Sequence, residues 1–303
     1  MQITKKIAVA ALMLGAVACA KKTPSGKEFK IVESGNGVKP IENNVVEFKF
    51  SISDDKDSTL FENSMMGRGE YEMFVLPPDS VFKKAIAEGQ QIDPIIEMLT
   101  MAHEGDSTQM SIVAKDFFGK MLPPFVKDSL DVVKVGLRIS RVFDNREDYT
   151  QVKEAEMEAA AEAQKATDDK VITDFLTENK IEGVQKTESG LYYIITKEGK
   201  GENPTAGDNV KVHYTGTLLD GSKFDSSVDR GQPLPFVLGQ GRVIKGWDEG
   251  IALLNKGAKA TLYIPSGLAY GPRAMGAQIP ANSVLKFDVE LVDFTKAETP
   301  ASK

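Results

Sequence analysis

Apolar and polar residues alternate through Val46-Glu47-Phe48-Lys49-Phe50-Ser51-Ile52 and again from Val132 to Val142, a period that predicts half-buried strands. Between them, Ile92 to Leu99 predicts a short helix, with Asp93 as its N-cap and Pro94 at the first helical position. Residues 146–183 predict a helical linker. Its first half, EAEMEAAAEAQKA, is rich in strong helix formers but has little to bury, which predicts a solvated spacer. Thr167 or Asp168 then caps a second run, whose Val171, Ile172, Phe175 and Leu176 share a face that packs on the neighbouring domain. From Val210 to Phe294 the inward positions become aromatic: Tyr214, Phe224, Phe236, Trp247 and Phe287, with Tyr270 just before a Gly-Pro turn. That is more aromatic weight than a core of this size needs. The only tryptophan opens GWDEGIALL, in which Ile251, Leu253 and Leu254 recur roughly as one helix face requires, so Trp247 is expected to floor a pocket.

The amino terminus has a different pattern. Lys5 and Lys6 precede the mostly apolar run from Ile7 to Ala18, which ends in Ala16-Val17-Ala18-Cys19. The run is shorter than the ~20 residues a bilayer span takes, and it fits a secretory signal peptide over 1–18. Cys19 stands where a bacterial lipoprotein box would place its lipidated cysteine; the alternative is an ordinary signal peptide cut beside it. Lipidation would consume the single thiol, which would otherwise be unpaired in a secreted protein, and several acyl chains would anchor the chain stably to a membrane. Residues 19–33, small and polar, are expected to be a lipidated tether, and 298–303 a disordered tail.

At 303 residues the chain has room for two domains. The net charge of -7, with no basic run, removes the electrostatic footprint of a nucleic-acid binder. His103, His213 and one cysteine cannot build a zinc site of the usual types, and neither histidine lies in a recognisable catalytic word. No metal or cofactor is expected.

Sliding the chain on itself by 152 positions places Gly257 to Ile264 on Gly105 to Ile112 and Tyr270-Gly271 on Phe118-Gly119. With small gaps, Phe236 meets Phe74, Phe224-Asp225 meets Phe61-Glu62, and Tyr214 meets Phe50, while Trp247 meets Ile95 and Phe287 meets Val135. Residues 34–145 are therefore expected to be a diverged copy of 184–297; the alternative is an unrelated β-rich domain.

The words VHYTGTLLDGSKFDSS, FVLGQGRVIKGWDEG, LAYG and IPANSVLKFDVEL closely resemble the FKBP-type peptidyl-prolyl cis-trans isomerases. The resemblance implies an α+β fold, an antiparallel β-sheet wrapped around a short helix, present in two copies joined by the linker. It also implies that Trp247 is the pocket floor, that Tyr214, Phe236, Val243, Ile244, Ile279 and Phe287 are its walls, and that Phe224 and Asp225 lie at the rim. The Ile244 N–H and the Tyr270 hydroxyl would hold substrate carbonyls. Helix, then ESGLYYIITKEGKG, then the core, resembles the periplasmic macrophage-infectivity-potentiator-like branch. The loop 271–278 departs from the pattern by presenting Arg273 and Met275 at the mouth.

The implied reaction needs no nucleophile. Rotation about an X-Pro bond crosses a barrier of about 18–20 kcal/mol because it breaks amide resonance, and an apolar pocket penalises the more dipolar planar amide more than the twisted one. The expected function is isomerisation of proline-containing polypeptide clients in the bacterial envelope, on a lipid anchor. The rival is a non-catalytic periplasmic chaperone or scaffold. The first copy, having lost Trp247, Phe287 and the Tyr270 hydroxyl, is expected to be silent and to serve client capture, homodimer formation or spacing.

Overall fold

The computed structural model describes residues 20–66, 71–119 and 121–297. Residues 1–18, expected to be a signal peptide, Cys19 and the expected tail 298–303 lie outside the described residues. The chain divides after Glu154 into two compact units.

The first unit contains β1 (Ala20–Lys22), β2 (Glu28–Glu33), β3 (Val45–Ser53), β4 (Thr59–Glu62), β5 (Glu72–Val75), α1 (Asp79–Ala87), α2 (Pro94–Met101), β6 (Ser107–Val113), α3 (Ala114–Phe118) and β7 (Val132–Phe143). Its strands form one antiparallel sheet in the order β1-β2-β6-β7-β3-β4, with β5 also on β3. Alternate residues of β6 and β7 face inward, and Val46, Phe48, Met110, Val135, Leu137 and Ile139 close over Met98 and Leu99 of α2. As the sequence requires, the Asp93 side chain caps α2 by accepting the Ile95 N–H at 2.8 Å.

A single helix, α4 (Arg146–Glu178), follows. The second unit adds β8 (Gln185–Lys186), β9 (Tyr192–Lys197), β10 (Asn209–Leu218), β11 (Lys223–Ser226), β12 (Leu234–Val237), α5 (Lys245–Ala252), β13 (Lys259–Ile264) and β14 (Leu285–Thr295). The sheet order is β11-β10-β14-β13-β9-β8, with β12 on β10. Read from the opposite end this is the connectivity of the first sheet, with its helix in the corresponding place. The likeness extends to the irregularities: the β3/β7 pair and the β10/β14 pair each shift register after their third partners, beyond Glu47 and Lys211. Glu97 of α2 accepts the Ser25 N–H and hydroxyl, both at 2.8 Å, and Glu249 of α5 accepts the Ser189 hydroxyl at 2.6 Å, so in both units the helix carboxylate grips the turn between the first two strands.

Three expectations are corrected. Residues 20–33 are not a tether but two strands at one end of the sheet, β1 at its edge and β2 between β1 and β6, held by Phe29, buried in the core, and by the buried Glu97. Only Phe29 is buried along β2, so no periodic pattern betrays the strand. The linker is one helix rather than two runs: Thr167 bonds back to the Ala163 carbonyl at 3.0 Å, and Asp168 is turned inward instead of capping. The helix stops before Gly183, with Lys180 in the left-handed region (φ 53°) and the Ile181 N–H returning to the Leu176 carbonyl at 2.9 Å. Finally, α2 is not the only helix of the first unit, since α1 and α3 flank it; α1 buries none of its residues.

The second unit is closed at its seam by Asp208, which is buried. It accepts the N–H groups of Thr205 at 2.8 Å and Ala297 at 2.9 Å and pairs with Lys296 at 3.2 Å. The Thr205 amide foremost, then the Ala297 amide and Lys296, hold its carboxyl at about 2 against the opposing effect of burial. A carboxylate with a depressed folded-state pKa contributes stability that is complete above the unfolded value, about 3.9, and is lost as pH falls through the folded one. Asp208→Asn is therefore expected to lower the melting temperature near neutral pH by a few degrees, with the deficit shrinking between about pH 4 and about pH 2. Melts followed by Trp247 fluorescence across that range check it.

Candidate active site

The site is built on α5. Two of its eight residues are glycines, poor helix formers, and both face β13. A Cβ on Gly246 would lie 2.5 Å from Ile264 Cγ2, and one on Gly250 would lie 2.7 Å from Leu262 Cδ1, so only glycine lets the helix approach this closely. Asp248 in the first turn accepts the Gly239 N–H at 2.8 Å and the Gly241 N–H at 3.1 Å, which ties the incoming loop to the helix. Trp247 is thereby pressed into the concave face of the sheet, 2% exposed.

Three rings surround the indole. Tyr214 of β10 meets it edge-on at 4.8 Å, Phe287 of β14 edge-on at 5.2 Å, and Phe236 of β12 tilted at 5.9 Å. Phe224 of β11 leans on Phe287 at 5.5 Å. Gly216 makes room for this last pair, since a Cβ there would lie 2.6 Å from the Phe224 ring and 2.7 Å from that of Phe287. The buried Ile279 and the half-buried Val243 and Ile244 join the same cluster. Tyr270 stands apart at the edge, 36% exposed, following Leu268 and Ala269, which pack on the cluster. Arg273 and Met275 are exposed beyond it.

The indole Nε1–H of Trp247 is buried with no hydrogen-bond partner among the described residues. Leaving such a donor unmatched costs about 1–3 kcal/mol. Polar groups are otherwise confined to one corner, where the Tyr214 hydroxyl donates to Asp225, and Arg230 donates both to Asp225 and, at 2.8 Å, to the Tyr214 oxygen. Burial foremost pushes the Tyr214 hydroxyl up, and the neighbouring carboxylate pushes it further, so it remains a donor. Burial also pushes the Asp225 carboxyl up, but Tyr214 and Arg230 together outweigh it and hold the group below the usual carboxylate range. The structure thus brings Tyr214, Phe224, Asp225, Phe236, Val243, Ile244, Trp247, Ile279 and Phe287 together. Arg230 was missed by the sequence reading: it lies in a turn five positions after Asp225, where no periodicity marks a residue as inward. His213 is tied to the Ser227 hydroxyl at 3.1 Å, and that oxygen also accepts the Tyr214 N–H at 2.7 Å, which makes it a strand-pinning contact.

The matching end of the first unit has different chemistry. Strand register sets Phe50 where the second unit has Tyr214, Phe74 in place of Phe236 and Val135 in place of Phe287, as the sequence alignment implied. Ile95, half-buried, takes the place of the buried Trp247 when Pro94, Met98 and Leu99 are set on Gly246, Gly250 and Ile251, all six of them buried. The counterpart of Asp225 is, however, Phe61 and not Glu62: Phe61 pairs with Ile52 as Asp225 pairs with Gly216, and both strands slip one position before the next pair. The Tyr-Asp hydrogen bond is therefore replaced by contact between Phe50 and Phe61 at 5.7 Å.

Residues 200–292 match the family described as FKBP-type peptidyl-prolyl cis-trans isomerase, and residues 131–195 match the domain amino terminal to it. The latter stretch begins just before β7 and runs through α4 into β9. The chain is 58% identical over 117 residues to the FKBP-type peptidyl-prolyl cis-trans isomerase FkpA of Aeromonas hydrophila, covering 39% of this chain and 42% of that one. It is 50% identical over 120 residues to the FKBP-type 22 kDa peptidyl-prolyl cis-trans isomerase of Escherichia coli, covering 39% and 57%. It is also 51% identical over 105 residues to FK506-binding protein 1 of Dictyostelium discoideum, covering 35% of this chain and 98% of that protein. The match spans about half the length of the bacterial relatives and nearly all of the Dictyostelium one. With this cluster of rings lying inside the matched stretch, the chain belongs to the FKBP-type peptidyl-prolyl cis-trans isomerase family.

Proposed function

We propose that residues 184–297 catalyse cis-trans isomerisation of X-Pro bonds in polypeptide clients. The observation that carries this reading is the Trp247 floor, an apolar surface ringed by Tyr214, Phe236 and Phe287 with polar groups kept to one corner. A proline ring on that floor loses water, and its planar amide loses more solvation than the twisted amide does. Each 1.36 kcal/mol of that difference is tenfold in rate. The Ile244 N–H, at the helix N-cap and outside the helix's own bonding, and the Tyr270 hydroxyl hold substrate carbonyls. Asp225, paired to Arg230, keeps Tyr214 aligned as a wall.

We assign no turnover to the first unit, because Phe50 and Phe61 leave it without the hydroxyl-carboxylate pair and Ile95 and Val135 shrink its floor. Its half-buried phenylalanines suit weak contact with extended apolar chain, so it serves client capture, dimerisation or spacing. The Cys19 lipobox supports lipid anchoring in the envelope, with the signal segment removed; among the described residues no helix is long and apolar enough to cross a membrane.

In the full chain, Trp247→Ala is expected to lower proline-peptide turnover by at least about tenfold and Tyr270→Phe by a few-fold. The tryptophan change also costs about 3–5 kcal/mol of stability, so circular dichroism must show the variant folded. Substantial turnover in folded Trp247→Ala would move the activity elsewhere, the first unit included. Because Asp225 works as the carboxylate and Arg230 helps to depress its pKa, Arg230→Leu should shift the acid limb of the pH-rate profile upward, toward the ordinary value of about 3.9. An unmoved limb would mean that Asp225 ionisation does not matter to turnover. Cys19→Ser should release the protein from membranes on fractionation, and an unchanged membrane fraction would refute the anchor.

A further inference from the structure

The later half of α4, which belongs to the second unit, meets the rest of that unit at a buried polar point that the proposed mechanism does not use. Asp168, 2% exposed, accepts the Ser266 N–H at 2.7 Å and the Ser266 hydroxyl at 2.6 Å with the same oxygen, and its other oxygen accepts the Gln164 side-chain amide at 2.7 Å. Ser266 opens the short 3-10 turn Ser266–Leu268 that leads from β13 to Tyr270. Its carbonyl accepts the N–H groups of both Ala269 and Gly271 at 2.9 Å, the residues on either side of Tyr270. The backbone that aims the Tyr270 hydroxyl therefore hangs from Ser266, and Ser266 is gripped from outside by the helix.

The surrounding contacts keep that grip fixed. Ile172 and Leu176, one and two turns further along α4, are buried with Tyr192, Tyr263 and Val284, and Phe175 packs on the Tyr263 ring at 5.9 Å. Tyr263 sits two residues before Pro265 in the strand that feeds the turn. A buried carboxylate is costly unless its lone pairs are matched by donors, and here one oxygen is matched by Gln164 of the same helix and the other is spent wholly on a loop. The apolar contacts of the helix do not themselves call for a carboxylate at this position; the two Ser266 donors do, since a leucine or alanine would leave them buried and unmatched.

We propose that Asp168 is a positioning residue for the isomerase site, holding the Tyr270 segment through Ser266, so that α4 is part of the working unit and not merely a spacer before it. The proposal rests on the isomerase reading above for its consequence in turnover, and on the hydrogen bonds alone for its consequence in loop order.

The test uses the full chain. Asp168→Ala should lower kcat/KM for a proline peptide by about three- to tenfold, and Asp168→Asn, which keeps an oxygen able to accept from Ser266, should restore most of it. Placed in a Tyr270→Phe background, Asp168→Ala should cost little more, because the group it positions is already gone. Amide exchange at Ala269 and Gly271 should quicken in Asp168→Ala and, to a smaller degree, in Ser266→Ala, whether or not turnover is assayed. A folded Asp168→Ala with parental exchange at those two amides, or one that loses the same factor with and without the Tyr270 hydroxyl, overturns the proposal. Failure of the parent chain to turn over any proline peptide overturns the isomerase reading instead, and the exchange result still decides whether Asp168 holds the loop.

Discussion

What the second unit offers at its concave end depends on how closely α5 can lie against β13. Gly246 and Gly250 are each disfavoured in a helix by about 0.5–1 kcal/mol relative to alanine, yet any side chain at either place would run into Ile264 or Leu262. The close approach presses Trp247 against the strands that carry Tyr214, Phe236 and Phe287, and edge-to-face ring contacts of this kind contribute about 0.5–1.5 kcal/mol each beyond the area they bury. The placing of the indole among the rings is thus a product of the helix's close approach, which the glycines set and the aromatic rings exploit. In α2, Pro94 and Met98 occupy the corresponding positions, and Met98 is wholly buried, so there a helix side chain fills space that in α5 is taken by Ile264 and Leu262 lying against bare glycine backbone.

Much of this was legible in the sequence, because the strongest signals were periodic. Strand alternation over 46–52 and 132–142, the Asp93 cap and the tryptophan at the head of a helical repeat all describe elements whose partners lie on a single buried face. The misreadings share a different cause. Along β2 only Phe29 is buried, and one buried residue has no period. Thr167 and Asp168 have the side chains of helix caps, but in α4 the threonine bonds back one turn and the aspartate reaches across to Ser266, a partner 98 positions away that no local window contains. Arg230 reaches its partners out of an irregular turn. The slip in β4 is subtler: aligning Phe61-Glu62 with Phe224-Asp225 looks persuasive residue by residue, and only the ladder hydrogen bonds reveal that the strands pair one position out.

The two units also show that identity of connectivity places few demands on chemistry. Turn anchors recur faithfully: Asn44 and Asp208 stand at the same turn, and the Leu76 and Leu238 N–H groups return to their carbonyls at 2.9 Å in both. What differs is the lining at the concave end, where one unit keeps a hydroxyl, a carboxylate and a guanidinium and the other keeps phenylalanines. The frame is conserved where backbone groups need partners, and it varies where side chains meet only one another.

One pair of facing residues bears on reversibility. Gly216 stands opposite Phe287, and Ile52 stands opposite Val135. Each pair fills its own space, large beside none in one case and medium beside medium in the other. Val135→Phe alone would force a ring into room that Ile52 already occupies, a strain of about 1–3 kcal/mol. Ile52→Gly alone would leave a void and weaken the strand. A lineage moving between the two arrangements one substitution at a time must cross a less stable ancestor whichever change comes first, so either arrangement, once reached, tends to persist.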